Sequence, residues 1–149
     1  MMDMNSFCEC DTVIRLIAET QGEIYQLAYD LGYDVEEFSK EYLKSDFCKY
    51  EMDSIYSKYQ TEFANECLDL VIYEFEQKNI NIAKRTEDIH YSPNWIGMMY
   101  RYLFFSLKTL SYNLPKKVPF AELAEICIDL EECTIEECVN ILTNKNRRN

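Results

Sequence analysis

One apolar stretch, residues 93–110, most constrains how this chain can fold. Ten of the thirteen residues from Trp95 to Leu107 are apolar, and on a helix they would cover every side. Such a helix is buried in a protein core or in a membrane. Spanning a bilayer needs about 20 apolar residues, and this stretch is shorter and interrupted. We therefore expect a buried central helix over about 93–110, with Ser92 as its cap and Pro93 at its first position.

The composition favours helices. The chain has 149 residues, enough to bury one hydrophobic core. Three glycines and three prolines are too few for the many tight turns of an all-β protein. The sequence therefore predicts a single all-α domain over residues 1–149, a compact bundle of five to seven helices around the central helix. Residues 144–149 are expected to form a frayed basic tail.

Capping signals place several helix ends. The first helix is predicted over 12–31, with Asp11 and Thr12 at its start, Gly32 after its end and Gly22 as a weak point inside it. Pro119 opens a later helix. Capping boxes predict two more helix starts, Asp34 with Glu37 and Thr134 with Glu137.

The middle of the chain is harder to divide. Residues 47–60 and 63–75 both have apolar residues at helical spacing. The pattern does not decide whether residues 45–78 form one helix or two. The polar residues 76–92 predict the longest loop.

The charge excludes some classes of partner. Acidic residues outnumber basic ones 27 to 15, giving a net charge of -12. This charge repels nucleic acid and anionic membranes, and it speeds association with a basic protein. The first residues show no signal peptide, and no stretch predicts a transmembrane segment. Seven cysteines without framework-like spacing favour reduced thiols, so a cytoplasmic protein is expected.

Arg101 is the most informative charge because it lies in the most apolar stretch. A buried guanidinium must be paired, since removing a charge from water costs several kcal/mol. One interpretation is a structural bridge to an acidic residue of another helix. The other is a binding site, in which Arg101 grips a carboxylate or phosphate of a partner.

Three aromatic residues are candidate anchors for a protein partner. Trp95 is the only tryptophan, and Tyr56 and Tyr59 share the segment that follows residue 45. Trp, Tyr and Arg dominate binding hot spots. Packing in the core is the alternative for Trp95.

The C-terminal region carries an unbalanced acidic block. Between Pro119 and Asn144 there are seven acidic residues and no Lys or Arg. Exposed helices ordinarily mix both signs, so we expect either a solvated face or a docking surface for a basic protein. The seven are Glu122, Glu125, Asp129, Glu131, Glu132, Glu136 and Glu137.

No catalytic or metal-binding motif is recognisable. His90 is the only histidine, and no cysteine stands at a spacing that pairs with it as a nucleophile. The cysteines do not match the spacing of zinc ligands, and no glycine-rich phosphate loop occurs. The sequence predicts no catalytic residue, no metal, no cofactor and no enzymatic activity.

A C-terminal helix-turn-helix is one alternative. Its second helix would span Ile135 to Thr143, with Glu136 and Glu137 where a recognition helix meets bases and phosphates. Two acidic residues there argue against DNA reading, so a nucleic-acid partner is not expected.

Two patterns carry a resemblance to other proteins. One is Trp95-Ile96-Gly97 with Tyr100-Arg101, and the other is Met52-Asp53 with Tyr56-Ser57 and Gln60. Over roughly residues 35–143 the chain resembles a family of small helical proteins of Firmicutes and their mobile elements, often encoded near toxin-like genes. The resemblance implies an antitoxin or inhibitor role by association. Family members often have a Leu-His pair where this chain has Leu130-Glu131.

The sequence therefore favours a small acidic protein-binding module. It would act as an antitoxin, an immunity protein or a phage-encoded anti-defence inhibitor by occupying a protein with a basic surface. A DNA-binding regulator and a small enzyme with an unrecognised site are the alternatives, and a homodimer stays open.

Overall fold

The computed structural model describes residues 12–54, 57–60, 63–130 and 132–147. These residues contain seven α-helices. Within these ranges there is no β-strand, and the helices pack as one compact bundle. The all-α fold of five to seven helices is confirmed. The helices are α1 (Thr12–Asp30), α2 (Val35–Leu43), α3 (Ala64–Gln77), α4 (Pro93–Leu107), α5 (Leu114–Lys117), α6 (Phe120–Asp129) and α7 (Ile135–Arg147).

Helix α4 is the central helix that the sequence predicts. The Ser92 hydroxyl accepts the backbone N–H of Trp95 at 3.2 Å, and Pro93 takes the first helical position. The helix ends earlier than the expected residue 110, because Lys108 adopts a left-handed conformation at φ 53° and stops it. Its buried residues include Ile96, Met99, Tyr100, Arg101, Tyr102 and Leu103.

Helices α1 and α4 cross at two glycines. Both Gly22 and Gly97 are buried. A Cβ atom at Gly97 would lie 3.0 Å from the Cα of Gly22 and 2.8 Å from the backbone oxygen of Gln21. Gly22 was expected to weaken α1, but here its missing side chain lets the two central helices approach closely.

The segment between α2 and α3 is not the helix expected over 47–60. Ser45 starts it, with its hydroxyl accepting the N–H of Cys48 at 3.1 Å. A π-helical turn then covers Cys48–Met52, and a 3₁₀ turn covers Lys58–Gln60. Residues 45–78 are therefore neither one helix nor two regular ones, and α3 is the only long helix among them that the structure describes.

The connection between α3 and α4 is the predicted loop, and it is fastened to the end of α1. Tyr33 and Lys84 form an isolated antiparallel bridge, in which Asp34 N–H donates to the Ala83 oxygen at 2.9 Å. Asp34 caps α2 by accepting the Glu37 N–H at 2.9 Å. The second half of the expected capping box is missing, because Glu37 instead accepts the Ala83 N–H at 3.1 Å.

Helices α6 and α7 pack against α4, whereas α3 packs against α1. Thr134 caps α7 as expected, with its hydroxyl accepting the Glu137 N–H at 3.0 Å. Helix α7 continues to Arg147, so residues 144–147 are helical where a frayed tail was expected. Residues 148 and 149, and Asp11 of the predicted first cap, lie outside the described residues.

Candidate functional site

Arg101 lies in the middle of α4 and forms a buried ion pair with Asp53. Its Nη1 is 2.8 Å from the Asp53 Oδ1, and the two side chains are 0% and 4% exposed. Asp53 directly follows the π-helical turn, and its N–H donates to the Cys48 oxygen. Of the two interpretations of Arg101, the structure shows the structural ion pair with an acidic residue. Its guanidinium does not reach the surface, so it is not accessible to a carboxylate or phosphate of a partner.

The remaining donors of Arg101 also have partners. Its Nε and Nη2 donate to the Gln21 Oε1 at 3.1 and 2.8 Å. Nη1 also donates to the Met52 carbonyl at 3.2 Å, and Nη2 lies 3.3 Å from the Ser111 hydroxyl and 3.4 Å from the Cys48 sulfur. A buried guanidinium is tolerated when its N–H groups are satisfied in this way.

The acceptors of Arg101 are themselves held in place. Ser111 donates its backbone N–H to the Asp53 Oδ2 at 3.0 Å. Gln21 donates to the Gly97 carbonyl at 2.8 Å and accepts from the Tyr42 hydroxyl at 3.0 Å. The network joins α1, α2, the π-helical turn and α4, so it fixes how these elements pack.

Burial keeps the neighbouring titratable groups neutral. It raises the pKa of the Cys48 thiol from 9.0 to about 11, even though the Arg101 charge acts in the opposite direction. Burial also raises the pKa of Tyr42 well above 10.0. Near pH 7 Cys48 is therefore a thiol and not a nucleophilic thiolate, and the cluster holds one cation and one carboxylate.

Two surface pockets lie near these elements, and Arg101 lines neither. One of about 280 Å³ is bounded by Phe104, Phe105, Lys108, Thr109 and Leu110. The Phe104 ring also lies 4.6 Å from the Arg101 guanidinium. The other pocket, of about 200 Å³, is formed by Glu36, Ser39, Lys40, Tyr100, Pro115, Pro119 and Phe120. The buried network is therefore closed to a substrate at both places.

The structure describes two of the three candidate aromatic anchors, Trp95 and Tyr59. Their role in docking a partner stays a prediction. Trp95 is half-buried and packs against the core. Tyr59 is also half-buried, with its ring 5.8 Å from that of Phe47 and the Lys58 ammonium 5.0 Å from its centroid. Tyr56 lies outside the described residues.

The acidic block lies on α6, on α7 and on the turn between them. Four of its members are exposed, Glu136 is half-buried, and Glu131 lies outside the described residues. Glu122 is half-buried and pairs with Lys145, whose ammonium is 2.8 Å away. We call the exposed set Glu125, Asp129, Glu132 and Glu137 the acidic face.

Two isoleucines interrupt the acidic face. Ile128 on α6 is 47% exposed and Ile141 on α7 is 49% exposed. Ile128 follows Glu125 by three residues, and Ile141 follows Glu137 by four, so each shares a helix side with a carboxylate. Their exposure could not be predicted from the sequence, because isoleucine at helical spacing ordinarily indicates the buried side of a helix.

The described residues also bear on metal and membrane sites. Among them, no three His, Cys, Asp or Glu side chains are grouped to hold a metal ion, and His90 is exposed in the loop before α4. No disulfide joins the five cysteines among them, Cys48, Cys67, Cys127, Cys133 and Cys138. No described helix combines the length and the apolar character needed to cross a membrane.

Comparisons with other proteins add no relative. No protein-family model matches the chain, and searches of curated proteins and of solved structures also find no match. The resemblance to helical proteins of Firmicutes stays a prediction.

Proposed function

We propose that this protein binds a basic protein partner through the acidic face and thereby acts as an antitoxin, immunity protein or inhibitor in the cytosol. The binding step is an encounter steered by charge, followed by contact of short-range groups. Binding covers a surface of the partner, and no covalent bond is made or broken.

The observation that carries this proposal is the charge of the α6 and α7 surface. The four carboxylates of the acidic face are exposed, and Lys145 is the one cation within ion-pair distance of the block among the described side chains. Folding does not need these exposed charges, and ordinary surfaces balance them. A concentrated field of one sign accelerates association with an oppositely charged protein.

The exposed isoleucines support the same use of the surface. An acidic surface alone gives steering but little residence time, because exposed ion pairs are worth about 0–1 kcal/mol each. Ile128 and Ile141 supply apolar area beside the carboxylates. Fully burying an isoleucine side chain contributes about 1.5–3 kcal/mol, and about half of each of these two remains for a partner to cover. The two residue types together therefore suit a protein contact.

A pull-down with a charge-reversal pair tests the proposal. The tagged protein is incubated with a lysate of the encoding organism as wild type, as the acidic-face variant and as a control. The acidic-face variant changes Glu125, Asp129, Glu132 and Glu137 to lysine. The control changes four other exposed acidic residues to lysine, namely Glu23, Asp30, Glu36 and Glu87.

Both variants shift the net charge equally, so they separate a local surface from total charge. We expect a stoichiometric basic protein to be retained by the wild type and the control and lost from the acidic-face variant. Equal retention by all three proteins, or the absence of any stoichiometric partner, contradicts the proposal.

A further inference from the structure

The outer side of α3 exposes three large apolar side chains in a row. Phe63, which precedes the helix, is 72% exposed, Leu70 is 40% exposed and Tyr73 is 61% exposed. Leu70 and Tyr73, three residues apart, lie on one side of the helix. Phe63 is the N-cap at the start of that helix, two turns before Leu70. We call this row the α3 stripe.

The core does not need the α3 stripe. The other side of α3 is buried through Ala64, Cys67, Leu68, Val71 and Phe75, and it packs against α1. Single exposed apolar residues are ordinary, but three large ones along the same side of one element form a patch of the kind that interaction sites use.

Acidic residues border the α3 stripe. Glu66, Asp69 and Glu76 are exposed, and α3 contains no Lys or Arg. Glu74, on the other border, already binds the Lys78 ammonium at 2.7 Å. An apolar row with carboxylates beside it is complementary to a helix that has apolar residues on one side and cations next to them.

Other occupants fit this charge poorly. A second copy would bring the same carboxylates together within a chain of net charge -12. An anionic membrane would be repelled for the same reason. A cationic protein segment is attracted.

We propose that the α3 stripe docks a basic amphipathic helix of another protein. The apolar side of that helix covers Phe63, Leu70 and Tyr73, and its lysines or arginines face Glu66, Asp69 and Glu76. This surface is separate from the acidic face, because α3 packs against α1 while α6 and α7 pack against α4. The inference does not rest on the function proposed above.

A synthetic probe tests the docking directly. The probe is a labelled peptide of leucine and lysine, with leucine at the a and d heptad positions, and its control has glutamate in place of lysine. Binding is followed by fluorescence anisotropy at low salt, and the contacted amides are mapped by ¹⁵N NMR shifts. We expect the lysine peptide to bind with shifts in residues 63–77 and the glutamate peptide not to bind.

Two variants and one control locate the contact. The triple variant Phe63→Ser, Leu70→Ser, Tyr73→Ser should raise the Kd by about tenfold or more, which is the usual effect of removing hot-spot residues. The reversal Glu66→Lys, Asp69→Lys, Glu76→Lys should also weaken peptide binding, because it replaces attraction by repulsion. This variant keeps the apolar residues, so it tests the contact even if the triple serine variant misfolds. The control Leu31→Ser, Leu110→Ser, Tyr112→Ser removes three other exposed apolar residues, which are 45–57% exposed, and should bind as the wild type does.

Three results would overturn the inference. They are unchanged affinity in both α3 variants, NMR shifts confined to α6 and α7, and a wild-type dimer in light scattering that the triple serine variant abolishes. The last result would assign the stripe to a second copy. None of them alters the pull-down test of the acidic face.

Discussion

The Nη1 of Arg101 lies 2.8 Å from the Oδ1 of Asp53, 48 residues away in the sequence, and both side chains are almost completely buried. Two charges taken out of water cost several kcal/mol each, and their attraction offsets this cost only with good geometry and further hydrogen bonds. Gln21 and Ser111 supply those bonds. The pair therefore links α4 to the end of the π-helical turn.

Asp53→Asn should destabilise the protein by about 3–5 kcal/mol, because it leaves the buried Arg101 charge without a counterion. Urea unfolding followed by circular dichroism measures the loss. The matched control is Asp46→Asn, which removes an ion pair with Lys78 whose aspartate is 60% exposed and should cost at most about 1 kcal/mol. Equal losses in the two variants would show that the buried pair is not what holds these elements together.

Gly97→Ala should lower the free energy of unfolding by about 1–3 kcal/mol, as overpacking does. The added Cβ would lie 2.8 Å from both the backbone oxygen of Gln21 and the Cγ of Tyr25, so α1 and α4 must separate. Helix propensity alone would give the opposite sign, a gain of about 1 kcal/mol. Thermal unfolding decides between the two signs. The control is Glu23→Ala on the exposed side of α1, whose free energy of unfolding should stay within about 0.5 kcal/mol of the wild type.

Stability should fall as the pH rises from 9 to 11. Burial raises the pKa of Cys48 from 9.0 to about 11, so the unfolded chain releases this proton before the folded one does. The stabilisation is complete below pH 9 and is lost up to pH 11, at a slope of at most about 1.4 kcal/mol per pH unit.

Urea titrations at pH 8, 9 and 10 measure that slope. Cys48→Ala should be less stable at every pH because of its cavity, but its stability should depend less on pH. Burial also raises the pKa of Cys138 from 9.0, so Cys138 adds to the slope in the same window and Cys48→Ala should reduce the slope without abolishing it. The pKa of Tyr91 is raised to about 12, so Tyr91 contributes above pH 10. An identical slope in Cys48→Ala would refute the assignment.

Local signals in the sequence predict much of the fold. Ser92 with Pro93 places the start of α4, and Thr134 places the start of α7, because a cap depends on neighbours a few residues away. The segment from Cys48 to Gln60 could not be predicted in this way. Its π-helical turn brings the Met52 carbonyl and Asp53 to Arg101, and that requirement comes from tertiary contacts.

The buried Arg101 network was also only partly predictable from the sequence. The apolar surroundings of Arg101 predict that it is paired, but no local pattern identifies Asp53 or Gln21 as its partners. Gly22 reads as a weakness in one helix, and only the approach of Gly97 gives it a role. The exposed isoleucines of α6 and α7 could not be told from core residues, because isoleucine is most often buried and only the packing of these helices shows which side stays exposed.

The most direct test of the acidic face is the association rate with the captured partner, measured by stopped-flow fluorescence at low and at physiological salt. We predict that reversing Glu125, Asp129, Glu132 and Glu137 slows association at low salt by about tenfold or more, and that the difference from wild type shrinks as salt screens the charges. The control reversal of Glu23, Asp30, Glu36 and Glu87 should stay close to the wild-type rate. If the acidic-face variant associates at the wild-type rate in low salt, the acidic face does not steer binding and the proposed function is wrong.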